Sequence, residues 1–465
     1  MISVDTLPGD VLLEIFYQYV NSGDQYIRGK WWRSLVHVCR RWRSIVFGSP
    51  RHLSLELICS VETPARDRLD IWPALPLVIS CFSKYRTVGV DNIIAVLECR
   101  DRLCRIELGY VRSSDLEILL GIMQQPYPEL TKLWLHSKDK AMPVVPDSFL
   151  GRSAPRLKYL KLDHIPFPGL PELVLSATHL VDLHLTDIPH SGYILPEAMV
   201  TALSTLTSLS SFSLEFQSPR SCPDQASRHP PPSTRCVLHT LTSFQFKGVT
   251  EYLEDLVACI DAPRLDELRT TFFNDIVFDT PQIIQFISRT PTSRALKKSR
   301  IVLWGGNASL GISSQTRGYL RLNVNIICRG LEWQVSSLEQ ICTSYLPPLS
   351  MLEDLYIYDH PHSQLDWKDG IENGLWLQLL HPFTAVKKLY LSEEIEPRIG
   401  PALQELAEGR TTEVLPALQN IFLERLESSR PVQEGVGKFV AARQVASRPI
   451  SVSSWATAYM DKLSY

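Results

Sequence analysis

The sequence lacks most of what an enzyme or a membrane protein shows. It has no C-x-x-C pair, no H-E-x-x-H, no G-x-S-x-G and no paired carboxylates at recognisable catalytic positions. "EGVGKF", around Gly435, has neither the length nor the Ser/Thr of a phosphate loop, and its glycines fit a loose turn or a frayed helix. "DHPHSQLD", Asp359 to Asp366, holds two histidines and two carboxylates in a spacing that matches no zinc pattern, and reads as a polar loop. The longest apolar runs, such as "LPLVISCF", fall far short of the ~18 residues a bilayer-spanning helix needs. An excess of charge is missing too. Lys plus Arg is 47 against 50 for Asp plus Glu, a net −3, so no global field draws the chain onto nucleic acid or an anionic membrane. The opening "MISVDTLPGDVLLEIF" carries Asp5 and no basic stretch ahead of its apolar run, unlike a secretory leader. Ten cysteines are scattered at 39, 59, 81, 99, 104, 222, 236, 259, 328 and 342. Without a leader they read as reduced thiols of an intracellular protein, cytoplasmic and/or nuclear, where the sequon Asn307-Ala308-Ser309 goes unused. These absences set the expectation of no metal, no cofactor, no catalytic residue and no enzyme.

What is present begins with a distinct N-terminus. The 465 residues exceed one small core, and 45% hydrophobic with 21% charged residues is ordinary globular composition. "LPGDVLLEIFYQYV" places Val11, Leu12, Ile15, Phe16 and Tyr19 at helical spacing after a Pro8–Asp10 start. The polar "NSGDQYIRGK" then links to a second helix, "LVHVCRRWRSIV". On a helical wheel Leu35, Val38, Cys39, Trp42, Ile45 and Val46 form one stripe, opposite His37, Arg40, Arg41 and Ser44. A nucleophilic Cys39 would need a base and a depressed pKa. On that stripe it reads instead as a small core residue, and the arginines as a solvated face.

From about residue 100 a repeat sets in, L-x-x-L-x-L with other apolar residues allowed. Copies start at Leu103, Leu130, Leu157, Leu180, Leu209, Leu241, Leu265, Leu352, Val386 and Leu418, most of them 23 to 34 residues apart. The fourth and sixth positions point into a core and the third and fifth out of the sheet. Helix signals recur between copies, at Ser114–Asp115, Thr250, Thr280-Pro281 and "IGPALQELAEG". Strand plus helix, repeated, predicts an α/β leucine-rich-repeat solenoid: a curved parallel sheet with outer helices. Residues 1–50 are then a helical domain, 51–100 a connecting segment with the first strands, and 101–465 the solenoid with a C-terminal cap. "QSPRSCPDQASRHPPPSTR", Gln217 to Arg235, reads as an insertion on the rim. Residues 291–350 must hold one or two drifted repeats, "SRIVLW" and "LRLNVNIIC", and "PISVSSW" a closing strand.

Leu7-Pro8, Glu14-Ile15-Phe16 and Val38-Cys39-Arg40-Arg41-Trp42-Arg43, followed by a repeat array, resemble the F-box-like proteins of mushroom-forming fungi. The resemblance covers the N-terminal module by motif and the repeats by architecture. It implies a small helical F-box that docks on a Skp-type adaptor of a cullin–RING ubiquitin ligase, with the repeats binding a protein substrate. Matched residue by residue, the adaptor-binding set is Leu7, Pro8, Leu12, Ile15, Leu35, Val38, Cys39 and Trp42. The stretch between Phe16 and Leu35, with Trp31-Trp32, is longer than in a compact F-box. The alternative from another class is a scaffold with the same parts and no ligase role. The outward strand positions give a substrate-binding face of Trp134, His136, Tyr159, Lys161, His184, Tyr356, Tyr358, Tyr390 and Phe422, since aromatic anchors are what binding hot spots use. Neither nucleic acid nor membrane is expected as a partner.

Overall fold

The computed structural model describes the chain except residues 1–6, 22–27, 51, 54, 60–68, 70–73, 82–88, 138, 140–142, 222–234, 274–280, 291–295, 315–319, 329, 345–346, 360–370, 408–409, 411, 425–431 and 456–465. Most of the Gln217–Arg235 insertion and of the Asp359–Asp366 loop therefore lies outside the described residues. The chain divides into two compact units, Met1–Tyr193 and Ile194–Tyr465.

The first unit opens with three helices, α1 (Gly9–Asn21), α2 (Arg28–Val36) and α3 (Arg40–Gly48). Leu12, Phe16 and Val20, four residues apart, bury one seam of α1 against Trp32, Leu35, Val36 and Val46, and the cluster continues through Leu53, Leu55 and Leu75. The single expected helix Leu35–Val46 is in fact two. The chain leaves the helix after Val36, and Cys39 takes an extended conformation (φ −155°, ψ 170°) as the N-cap of α3. Its sulfur accepts the Trp42 N–H at 3.4 Å, so Cys39 is a half-buried cap and not a core residue. The helical stripe failed here because V-C-x-x-W spacing suits a cap with its first turn as well as a continuous helix.

Six strands follow: β1 (Leu57–Cys59), β2 (Leu77–Cys81), β3 (Leu103–Val111), β4 (Lys132–Ser137), β5 (Tyr159–Asp163) and β6 (Asp182–Ile188). They pair parallel in sequence order. The leucine frame explains why. Positions one, four and six of each copy are buried, as in Leu130, Leu133 and Leu135 or Leu157, Leu160 and Leu162, and Ile106, Leu133, Leu160 and Leu183 lie in one register row. Ahead of each strand the Thr131, Lys158 and Val181 N–H groups donate to the Cys104, Thr131 and Lys158 carbonyls at 2.8 Å, carrying the ladder from copy to copy. In three copies the residue seven after the first leucine is left-handed: Tyr110 (φ 61°), His164 (φ 61°) and Asp187 (φ 50°).

The second unit continues the frame with β7 (Ser211–Phe216), a short parallel pair β8 (Cys236–Val237) and β10 (Ile260–Asp261), then β9 (Ser243–Gly248) and β11 (Glu267–Phe273). Residues 291–350 depart from the expectation of drifted repeats. "SRIVLW" lies in β12 (Leu296–Trp304) and "LRLNVNIIC" in β14 (Leu320–Ile327), but between them runs an unforeseen strand, β13 (Asn307–Ser314), antiparallel to both. The order is β11-β14-β13-β12-β15, so a three-stranded meander replaces strand–helix–strand units. A tight turn at Gly306 makes this possible: its φ of 146° suits glycine, and the chain reverses there without room for a helix. Gln334 of the helix Leu331–Ser344 joins the outer strands, its amide donating to the Trp304 carbonyl at 2.9 Å and the Cys328 carbonyl at 3.3 Å.

β15 (Asp354–Asp359), β16 (Lys388–Leu391), β17 (Asn420–Glu424) and β18 (Ser451–Trp455) resume the parallel order and close it. Buried carboxylates stitch successive helices: Glu254 accepts the Gln282 and Ile283 N–H groups at 3.1 and 2.8 Å, at the positive end of the helix Pro281–Arg289. The last two helices, Glu396–Leu406 and Glu434–Val445, meet through Gly400 and Gly435.

Candidate protein-docking surfaces

The helical module has two apolar seams, not one. Leu12, Phe16 and Val20 are buried, whereas Val11, Ile15 and Tyr19, also four residues apart, are 41, 47 and 38% exposed. Val38, between α2 and α3, is 58% exposed. Val11, Ile15 and Tyr19 thus form an exposed apolar band on a module that already has its own core. Val11 and Tyr19 complete this band, which a helical wheel does not separate from the core seam. Of the motif-matched residues, Leu12 and Leu35 are buried in the core, and Trp42 packs its ring on Phe16 at 4.7 Å. Leu7 is half-buried, Pro8 exposed, and the Arg41 guanidinium donates to the Leu7 carbonyl, tying the Leu7-Pro8 entry to α3.

In the first unit, Trp134, His136, Tyr159, Lys161 and His184 all lie half-buried on the outward strand face. Register makes one row of Glu107, Trp134, Lys161 and His184, and another of Arg105, Lys132, Tyr159 and Asp182. Side chains of this face pair with one another. Lys161 sits over the Trp134 ring at 5.4 Å, Lys132 over Tyr159 at 4.9 Å, and Lys132 pairs with Glu107 at 2.6 Å. His136 Nδ1 stands 3.0 Å from Asp163 Oδ2, with Tyr110 edge-on to the imidazole at 4.7 Å. Burial pushes the Asp163 carboxyl up, but the His136 bond and charge, with Lys161 and Thr186, outweigh it and hold the carboxyl below its ordinary value. Burial lowers His184, helped by Lys161 and opposed by Asp182.

In the second unit, Tyr356, Tyr358, Tyr390 and Phe422 share the outward face, also half-buried. Parallel register sets Tyr356, Tyr390 and Phe422 in one row. Their rings stack at 4.1 and 4.5 Å with planes 10° and 9° apart. Trp455, the last residue of β18, crosses this stack edge-on, 6.2 Å from Tyr356 and 5.7 Å from Tyr390, and its indole N–H donates to the Leu391 carbonyl at 3.0 Å. Burial raises both tyrosines, Tyr356 the more strongly.

The thiols follow burial. Cys104 is pushed up to about 12 by burial and the nearby Glu56, and Cys236, Cys259 and Cys342 also rise through burial, away from the thiolate form. Among the described residues no group of three or more His, Cys, Asp or Glu could hold a metal ion, and no helix is long and apolar enough to cross a membrane.

No protein-family model matches the sequence, and no curated protein matches it. Among solved structures the chain is similar to that of the TLR13–ssRNA13 complex, with 12% identity over 86% of this chain and 49% of that one, at a TM-score of 0.34. It is also similar to the leucine-rich repeat-containing protein LegL7 from Legionella pneumophila, with 11% identity over 83% of this chain and 97% of that one, at a TM-score of 0.29. The chain thus spans about half the length of the TLR13 chain it matches, at 49%. Likenesses this slight carry no argument, and the leucine repeat stands on the strand register and buried leucines described above.

Proposed function

We propose that the chain is the substrate-recognition adaptor of a Skp–cullin–F-box ubiquitin ligase: the helical module docks on a Skp-type adaptor and the outward strand faces bind a protein substrate. The carrying observation is the second, exposed seam of α1. Val11, Ile15 and Tyr19 with Val38 offer apolar surface whose burial on a partner is worth about 1 kcal/mol per half-exposed side chain. Leu12, Phe16, Leu35 and Trp42 support that surface from inside, and Leu7 and Pro8 flank it. No chemistry on this chain is needed. A tethered substrate lysine near a charged ubiquitin-conjugating enzyme gains effective concentration, and transfer is performed by other subunits. In that role the chain works in the cytoplasm or nucleus, where its thiols stay reduced.

The test is loss of a bound partner that depends on ubiquitylation. Cells carrying the intact chain should deplete a partner captured through the strand faces, and a Trp134→Ala, Tyr356→Ala, Tyr390→Ala variant should spare it. Capture with no ubiquitin-dependent depletion would leave a scaffold and remove the ligase role. Because Tyr356 and Tyr390 stack on each other, that variant needs a folding control.

A further inference from the structure

We propose that the chain pairs with a second copy of itself through the open edge of β18, the two strands running antiparallel about a two-fold axis at Ser453. The inference stands apart from the ligase reading, since it concerns how many strand faces one assembly carries.

Parallel pairing turns alternate residues of β18 to opposite sides. The Ser451 N–H donates to the Gln419 carbonyl at 3.0 Å, and the register runs unbroken from Asn420 opposite Ser451 to Glu424 opposite Trp455. Ser451, Ser453 and Trp455 thus direct their backbone groups to β17, and Val452 and Ser454 direct theirs away from it. Among the described residues no strand lies beyond β18. Strand edges are ordinarily blunted by a lysine, a proline or a bulge. Ser451–Trp455 carries no charge, no proline and no shift of register. Its serines are exposed, and its one large side chain, Trp455, lies back over Tyr390 and bonds to the Leu391 carbonyl, clear of the edge.

Symmetry selects a second copy. With Ser453 opposite its own counterpart, Val452 faces Ser454 of the second copy, and each such pair exchanges both N–H···O bonds. Every outward backbone group of Val452 and Ser454 is then met. Side chains across the pair are serine with serine and Ser451 with Trp455, and no like charges oppose. The helix Glu434–Val445 fits the same axis. Because β17 and β18 are parallel, the helix between them runs back against the direction of β18. Gly435 faces the helix Glu396–Leu406, where a Cβ would run into the Gly400 carbonyl. At about 100° per residue, Gly437, Val440, Ala441 and Gln444 lie on the side away from it. Ala441 and Gln444 are exposed, and a Cβ on Gly437 would meet nothing within 4 Å. Small residues there leave room for the second copy's helix. The axis reverses that helix, bringing the exposed Glu434 at one helix start toward the exposed Arg448 just past the other's end. An axis normal to the sheet also keeps both outward faces on one side. The row that ends at Phe422 and Ser453 therefore continues into its own copy, and one assembly presents two substrate faces to a partner.

Sedimentation velocity of the intact chain tests this: over the micromolar range one chain should give way to two. Ser453→Lys and Ser453→Glu, at an exposed position that keeps its bonds to β17, should each stay monomeric, because like charges would stand directly opposite. An equimolar mixture of the two variants should dimerise again, a rescue that requires residue 453 to meet residue 453. Ser454→Pro removes an outward N–H without touching the bonds to β17 and should weaken pairing at least about tenfold. Trp134→Ala, in the first unit, should dimerise as the intact chain does. An intact chain that stays monomeric overturns the inference, whether a strand of another protein or residues after Trp455 hold the edge. A dimer that survives Ser453→Lys in a folded variant, or a mixture that stays monomeric, overturns it equally.

Discussion

The Phe16 and Trp42 rings meet with centroids 4.7 Å apart and planes inclined by 54°, joining α1 to α3. One residue earlier, Ile15 points the other way and is 47% exposed. These neighbours should therefore behave oppositely. Phe16→Ala removes a buried ring and should cost about 3–5 kcal/mol, read as lost hydrogen-exchange protection of the α1 amides. Ile15→Ala should change that protection by less than about 0.5 kcal/mol and yet weaken adaptor capture.

Cys39 separates a cap from a core thiol. Its sulfur accepts the Trp42 N–H at 3.4 Å from an extended backbone. Serine is the stronger cap, so Cys39→Ser should hold or raise the protection of the α3 amides, and Cys39→Ala should lower it by about 1 kcal/mol. A buried core thiol would reverse that order, since serine would then bring an unmet hydroxyl.

Gly400 and Gly435 should not tolerate alanine equally. A Cβ on Gly435 would lie 2.3 Å from the Gly400 carbonyl oxygen, which is backbone and must be displaced. Gly435→Ala should cost about 1–3 kcal/mol, measured by denaturant unfolding. A Cβ on Gly400 would meet the Gln433 Oε1 at 1.9 Å, the end of a side chain that can swing away. That movement gives up the Gln433 bond to the Val436 N–H at 3.1 Å, about 1 kcal/mol, which alanine's helix preference offsets by a similar amount. Gly400→Ala should be near neutral.

Asp163 makes the first unit sensitive to acid. Its carboxyl is held below the ordinary 3.8, so its stabilising effect is complete above that value and is lost as pH falls through the lower, folded value. Carboxyl NMR titration should place Asp163 below 3.8 in the intact chain. In His136→Ala, burial is opposed only by Lys161 and Thr186, and the carboxyl should move up. No movement would contradict the pairing.

What the sequence reveals and what it hides have physical causes. The L-x-x-L-x-L copies are legible because strand alternation forces positions four and six to the same side, and those residues are buried from Ile106 to Leu423. The outward aromatics follow from the same frame. The meander of β12, β13 and β14 is not legible that way. Its pairing depends on which distant strands it joins, and "NASLGISS" carries no leucine frame. The place of Trp455 is not legible either, because a lone aromatic after two serines says nothing about reaching back to Leu391. The two seams of α1 are not separable in the sequence, because Val11, Leu12, Ile15 and Phe16 lie close on a helical wheel, and only the packing of Trp32 and Val46 shows which seam is covered.

Titration of a purified Skp-type adaptor onto the intact chain, read by calorimetry, tests the central claim most directly, beside a Leu7→Ala, Pro8→Ala, Ile15→Ala variant that keeps its α1 protection. The account predicts one-to-one binding by the first and at least about a tenfold loss in the second. Equal binding by the two, or none by the intact chain, contradicts it.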